Sequence, residues 1–435
     1  MKMLLMNRLA RLICLLLVLP VGLLSINGFA APPKAPKSVV VKQGIRPLLQ
    51  IEKDYVAALT GDDARLKPGM KVSVYLQSGK RFEDVEITEV QPGKVKNSFK
   101  LLAVVNGKGS KQKIQPSTLL SITADDLEYD IVQDPSTKAY LALDLALRDE
   151  QSKSRLAKSG HSLWDTPSDD VRKSTIDDAH ALFEKAKLLF PDHNWMLQET
   201  EFFLFYTDMP PDQIAGYLAN LDAMYRQMSV AFGVLPGRNI WRGKCPVIAF
   251  LDADAFRRFE AQVMQNPVPN AVQGLHHGYS DGKVVITVYR GNDPAYFATV
   301  LVHETAHGFV HRLRSNVNIV PWLNEGIADW IAGVAVPASG EVPRRQSDAI
   351  AQMRSNGSMG GLFDEGKRLT STDYGTASSL TQFMLQTDSN LYRAFLDAIK
   401  DGYSIEEALK LTYNCTPQEL VNRFGQSLGI PDLRP

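Results

Sequence analysis

The stretch beginning at Gly291, GNDPAYFATVLVHETAHGFVHRL, constrains the chain more than any other. Asp293 can accept from the free N–H groups of a first helical turn, and Pro294 suits the first helical position, where no N–H is needed, so a helix is predicted from there. On it His303 and His307, four residues apart, share one face and can aim both imidazoles at a single point. Glu304 lies about 100° round from His303. It can therefore reach a water at that point without itself ligating the ion. A five-residue H-E-x-x-H match arises by chance in on the order of one chain in a hundred of this length.

Context sharpens the reading. After RSNVNIVP comes a second helical stretch, PWLNEGIADWIAG, whose Glu325 is separated from His307 by 17 residues. That interval lets a second helix return beside the first. Glu325 can then be the third ligand of a His₂Glu zinc site that keeps its fourth position for water. Asp329, four residues on, can accept the other N–H of a liganding histidine and fix its tautomer. His311 continues the series, but Gly308 and His311 do not match the metzincin spacing for a third histidine. It is read as lying behind the ligands or at the surface. His276 and His277, in QGLHHGYS, are read as loop residues, one of which can line the cleft.

HETAH followed by NEGIAD resembles the gluzincin metallopeptidases, the thermolysin-like clan, and within it the bacterial peptidase MA-like branch. The likeness extends to ETEFFLFYTDMPPDQIAGYLANLDAMY and CPVIAFLDADAFRRFE and so covers residues 196–430. It implies a thermolysin-like catalytic domain in which His303, His307 and Glu325 hold Zn²⁺, Glu304 is the general base, and the substrate is a peptide or protein. Related families often place a tyrosine or histidine against the developing oxyanion. Tyr374, in STDYGTASSLTQFML, occupies the corresponding region; it reads equally as a capping or core tyrosine, and Tyr279 and Tyr289 are weaker candidates. The interval to Glu325 is about one residue shorter than in thermolysin itself. No G-x-M-E-N-like stretch is present, which argues against the aminopeptidase subfamily.

The expected fold class is α+β. Lys2, Arg8 and Arg11 precede the apolar run 12–24, and NGFAAPP follows, so residues 1–30 read as an export signal leading to the periplasm or the exterior. No later stretch is long and apolar enough to span a bilayer. Residues 31–63 read as a tether, and 64–130 as a small SH3-like β-barrel. There Val72, Val74 and Leu76 alternate, Val85, Ile87 and Val90 continue, and FKLLAVV and LLSITA follow. Lys94, Lys96, Lys100, Lys108, Lys111 and Lys113 form a solvated face, because no aromatics are interleaved to stack bases. With 48 basic and 48 acidic residues, no global field draws the chain to nucleic acid or an anionic membrane.

Residues 131–195 read as a helical connector, on AYLALDLALRDEQ and TIDDAHALFEKAKLLF. The metallopeptidase domain, 196–430, runs strand, helix, strand, helix, and then a hairpin turning at Asp281-Gly282. Cys14 leaves with the signal, while Cys245 and Cys415 are open between a disulfide and two buried thiols. The competing function is a non-catalytic envelope protein with a relic metal site and a partner- or polymer-binding β module. Retention of Glu304 beside three ligands favours the hydrolase. The sequence carries no signal for an oligomeric state.

Overall fold

Alternation in the first half of the chain builds a curled antiparallel sheet. The computed structural model describes residues 44–435 except Asp62, Asp126 and Pro236. The export signal, Cys14 and the first part of the tether lie outside the described residues. Strands β1 (Val56–Ala57), β2 (Lys71–Leu76), β3 (Arg81–Pro92), β4 (Phe99–Val105), β5 (Lys111–Ile114), β6 (Leu119–Ala124), β7 (Leu127–Gln133) and β8 (Tyr140–Asp144) run in the order β1-β8-β7-β6-β2-β3-β4-β5. Their inward residues, among them Val72, Val74, Val85, Ile87, Leu102, Val104, Ile122 and Ile131, form one buried cluster.

The four strands expected from the sequence are present as β2, β3, β4 and β6, and β1, β5, β7 and β8 join them. Two segments therefore differ from expectation. The described part of the supposed tether is packed: Leu48, Leu49, Ala57 and Leu59 are buried, and Val56 and Ala57 pair with β8. Tyr140–Asp144, expected as helix, is a strand because its apolar residues alternate: Leu141 and Leu143 join one cluster while Ala142 faces the other. The helix begins only afterwards, when Asp144 accepts from the N–H groups of Ala146 and Leu147 and starts α1 (Leu145–Lys158).

The second half is organised around a mixed sheet. Helix α2 (Asp169–Leu189) leads to β9 (Met196–Glu199), β10 (Phe203–Thr207), α3 (Pro211–Ala231), β11 (Cys245–Phe250), α4 (Ala253–Gln262), β12 (Gly274–Gly278) and β13 (Val284–Tyr289). The order is β12-β13-β11-β10-β9, with β10, β11 and β13 parallel and the two outer strands antiparallel. The runs FLFYT and CPVIAF are buried throughout because both faces are covered. Phe203, Phe205, Val247 and Ala249 face one core, and Leu204, Tyr206, Ile248 and Phe250 face the other.

Ala179, Phe183 and Ala186 of α2 belong to that second core, so α2 covers the sheet as well as connecting to it. On the opposite face lie α5 (Pro294–Arg312) and α6 (Pro321–Ala335), followed by α7 (Glu341–Asn356), α8 (Ser371–Thr387), α9 (Ser389–Lys400), α10 (Ile405–Thr412) and α11 (Pro417–Leu428). Cys245 and Cys415 are both buried and free, which settles the open question in favour of thiols. Among the described residues no helix is long and apolar enough to cross a membrane.

Candidate metal centre

Helix α5 starts as its sequence predicts, with Asp293 Oδ1 accepting from Ala295 N at 2.9 Å and Tyr296 N at 3.0 Å. Helix α6 starts at Pro321 and returns beside α5. Gly326 permits its fit against α8: a Cβ there would stand 2.7 Å from the Ala377 carbonyl oxygen. Glu325, its neighbour in sequence, is thereby delivered to the two histidines.

Three donor atoms meet. His303 Nε2 is 3.1 Å from Glu325 Oε2, His307 Nε2 is 3.3 Å from the same oxygen, and the two Nε2 atoms are 3.1 Å apart. All three residues are buried, at 6%, 1% and 2% exposure for His303, His307 and Glu325. Behind them Asp329 Oδ1 lies 2.9 Å from His303 Nδ1 and accepts from Arg345 Nη2, also at 2.9 Å. A carboxylate at Nδ1 places the proton there and leaves Nε2 presenting a lone pair. Nε2 then faces a carboxylate oxygen and a second imidazole nitrogen. Such a meeting of acceptors requires a cation, or an added proton, among them.

Electrostatics point the same way. Burial pushes the Glu325 carboxyl upward, but the facing charges and hydrogen bonds of His307 and His303 outweigh it and hold the group well below the carboxylate range. Burial also raises Glu304. The contact with His276 opposes this first, then the charges of His303 and His307, and the net displacement is downward.

The structure thus brings together His303, His307, Glu304, Glu325 and Asp329. Tyr374 is buried at the start of α8, its ring 6.1 Å from that of His303. It borders a small cavity with Tyr296, Thr299, His303, Glu304 and Arg345. Tyr289 is elsewhere, packed against Phe256 on the α4 face of the sheet. Tyr279 is in the hairpin turn, and its carbonyl accepts from His311 Nε2 at 3.1 Å. His311 is outside the ligand group. Burial pushes its pKa down to about 4.

His276 and His277 are corrected from loop to strand, for both belong to β12, paired with Ile286 and Val285. Strand alternation sends them opposite ways. His277 Nε2 reaches the buried Glu260 at 3.1 Å, while the His276 ring lies 4.9 Å from that of His307. Sequence reasoning missed Arg345 altogether. A cleft of about 360 Å³ opens from His307, bounded by His276, Tyr279, His311, Ile319 and Asn324.

A second gathering, His193, Asp208 and Asp252, also has three donors within reach of one another. Its His193 Nδ1 and Asp208 Oδ2 are 2.5 Å apart, a hydrogen bond too close for two ligands of one ion. Asp252 is occupied in starting α4.

No protein-family model matches the chain, and no curated protein matches it. Among solved structures it is similar to a functionally unknown conserved protein from Bacillus anthracis str. Ames, at 10% identity and a TM-score of 0.30, over 91% of this chain and 79% of that one. It is similar also to the M60 catalytic domain of Clostridium perfringens ZmpC in complex with the sialyl T antigen, at 11% identity and a TM-score of 0.29, over 91% and 77%. A third is the ZmpB metallopeptidase from Clostridium perfringens, at 13% identity and a TM-score of 0.27, over 90% and 72%. Likeness this slight establishes no shared family.

Proposed function

We propose that the protein is a zinc-dependent metallopeptidase of gluzincin type, whose zinc His303, His307 and Glu325 would hold and whose general base is Glu304. The observation that carries the reading is the convergence of three acceptor atoms with 3.1 to 3.3 Å between them. A tetrahedral zinc about 2.0–2.1 Å from each ligand atom separates them by about 3.3 Å, so the donor set fits that ion in chemistry and spacing. His307 borders the open cleft, which suits a site with an accessible fourth position better than a closed structural one.

When bound, zinc supplies a polarising charge for the scissile carbonyl and lowers the pKa of its water toward about 7. The chain's own residues do the rest. Glu304, buried beside the ligands, takes a proton from the water as its oxygen adds to the carbonyl carbon. The same carboxyl returns that proton to the amine nitrogen as the C–N bond breaks. Asp329, held by Arg345, keeps His303 in the tautomer that directs Nε2 at the ion. Tyr374 is the candidate donor for the oxyanion. Strand β12 is an edge of its sheet and can pair with an extended peptide, laying it across the cleft.

The substrate class is peptide or protein, and the N-terminal sheet serves to anchor or recruit. Export to the periplasm or exterior belongs to this reading and rests on the charged and apolar pattern of residues 1–30. The test combines metal analysis of the purified protein with chelator-sensitive hydrolysis of an unfolded casein. Glu304→Gln should keep zinc and lose hydrolysis by about 10²–10⁴-fold, and His303→Ala should lose the metal. Full activity in Glu304→Gln removes the general base. Wild-type protein without zinc, or with zinc but no hydrolysis, removes the enzyme and leaves the binding-protein alternative.

A further inference from the structure

The alternation of β12 places Gly274, His276 and Gly278 toward α5, and Leu275 and His277 toward α4. Gly274 makes the approach close, since a Cβ there would meet Val300 Cγ1 at 2.8 Å and Glu304 Cγ at 3.0 Å. The strand's backbone is therefore seated on the stem of Glu304. Two positions on, His276 Nδ1 stands 3.9 Å from Glu304 Oε2. That oxygen is buried and has no hydrogen-bond partner among the described residues. A buried carboxylate oxygen without a donor is costly, the more so when it carries charge. The separation from His276 is about 1 Å longer than a hydrogen bond.

We propose that His276 is a positioning residue that closes on Glu304, donating a hydrogen bond from Nδ1 to Oε2 and so reserving the other carboxylate oxygen for the proton of the attacking water. The kinetic consequence rests on the metallopeptidase reading; the contact itself rests on geometry alone. Catalytic hydrogen bonds are often long before substrate binds and shorten in the complex. A peptide added to the β12 edge would draw on the same strand that carries His276, which links substrate pairing to orientation of the base. His276 is not in the ligand group and needs no change of protonation for this role.

Two measurements test this on the full-length protein. In histidine-labelled wild type, long-range ¹H–¹⁵N spectra should show the His276 proton on Nδ1, and Glu304→Ala should move the ring toward the Nε2–H tautomer. A wild-type ring protonated only on Nε2, or a ring indifferent to Glu304→Ala, overturns the proposal. In kinetics, His276→Ala should lower kcat about tenfold or more with zinc content and KM within about twofold of wild type. His276→Asn, whose amide nitrogen falls near Nδ1, should recover to within about threefold, and His276→Gln, which mimics Nε2, should not. Full turnover in His276→Ala, or rescue by Gln and not Asn, refutes it. Should wild-type protein neither bind zinc nor hydrolyse peptides, the metallopeptidase reading fails while the spectra still decide the contact.

Discussion

Asp329 offers a sharp perturbation because one oxygen serves two partners. It is fully buried, at 0% exposure, and its Oδ1 is 2.9 Å from both His303 Nδ1 and Arg345 Nη2. Asp329→Asn preserves volume and removes the charge. Arg345, itself buried, is then left without its anion, and breaking a buried pair from one side costs about 3–5 kcal/mol. His303 exchanges its carboxylate acceptor for a neutral amide oxygen, and loss of such a carboxylate weakens metal binding about 10–100-fold, or about 1.4–2.7 kcal/mol. The two effects can be separated. Adding Arg345→Met removes the stranded cation, and with neither charge left in the buried pair stability should return to within about 1–2 kcal/mol of wild type. Zinc affinity should stay low, because His303 still lacks its carboxylate. Denaturant unfolding must be measured without metal, since bound zinc adds its own stabilisation. Zinc affinity is read by competition with a chromophoric chelator. If the double variant regains affinity along with stability, or if Asp329→Asn alone costs under about 1 kcal/mol, the assigned role of Asp329 is wrong.

Gly274→Ala should cost about 1–3 kcal/mol in thermal unfolding, because the new Cβ would also lie 2.9 Å from Val288 Cγ1. It should also lower turnover with zinc retained, whereas unchanged melting and turnover would show that β12 shifts freely. Lys400 is buried, and burial, reinforced by the charge of Arg312, pushes its pKa from 10.5 down to about 7. The unfolded lysine therefore binds a proton that the folded one does not, and stability is lost as pH falls from 10.5 toward 7. Unfolding free energy should rise between pH 7 and 10 by on the order of 4 kcal/mol more in wild type than in Lys400→Met, and equal slopes would contradict the buried amine.

The helix that carries His303 and His307 was legible because its information is local. An N-cap, a proline and two histidines four apart determine a helix and a shared face without help from the rest of the fold. Glu325 and Asp329 were legible through the same periodicity on a returning helix. Arg345 was not, since it adjoins Arg344 in an ordinary charged helix, yet its side chain is 8% exposed and that of Arg344 is 60%. Which arginine turns inward depends on the seating of α7 against Asp329, and no local pattern states it. The strand that carries His276 was missed for a related reason. GLHHG lacks the branched residues of a typical strand, and β13 supplies the pairing that makes it one. Tyr140–Asp144 misled in the opposite sense, because a two-residue alternation that runs straight into a helix passes for helical spacing over so short a span.

The loop between α5 and α6 is where the N-terminal part of the chain bears on the candidate site. Glu52 pairs with Arg46 at 2.7 Å, and Arg148 of α1 pairs with Asp401 at 2.8 Å, all four groups buried. Asp401 also binds Arg314, at the start of that loop, and the Ser315 hydroxyl donates to the Lys400 carbonyl. Lys400 Nζ in turn donates to the carbonyls of Val310, on α5, and Val317, in the loop, at 3.2 and 2.8 Å. Burial raises the Glu52 and Asp401 carboxyls, yet their arginine partners outweigh it and hold both below the usual range. The contacts are therefore complete above the ordinary carboxylate range and fail only as pH drops through those lowered values. Buried ion pairs add little net stability compared with apolar packing, but breaking one is costly, so they define a single arrangement. Here that arrangement determines the course of residues 313–320, and with it the wall formed by Val317 and Ile319 beside His307. The interval that lets Glu325 return to the histidines is thus gripped from outside by α1 and α9, and removal of the N-terminal sheet with α1 would release one side of the cleft.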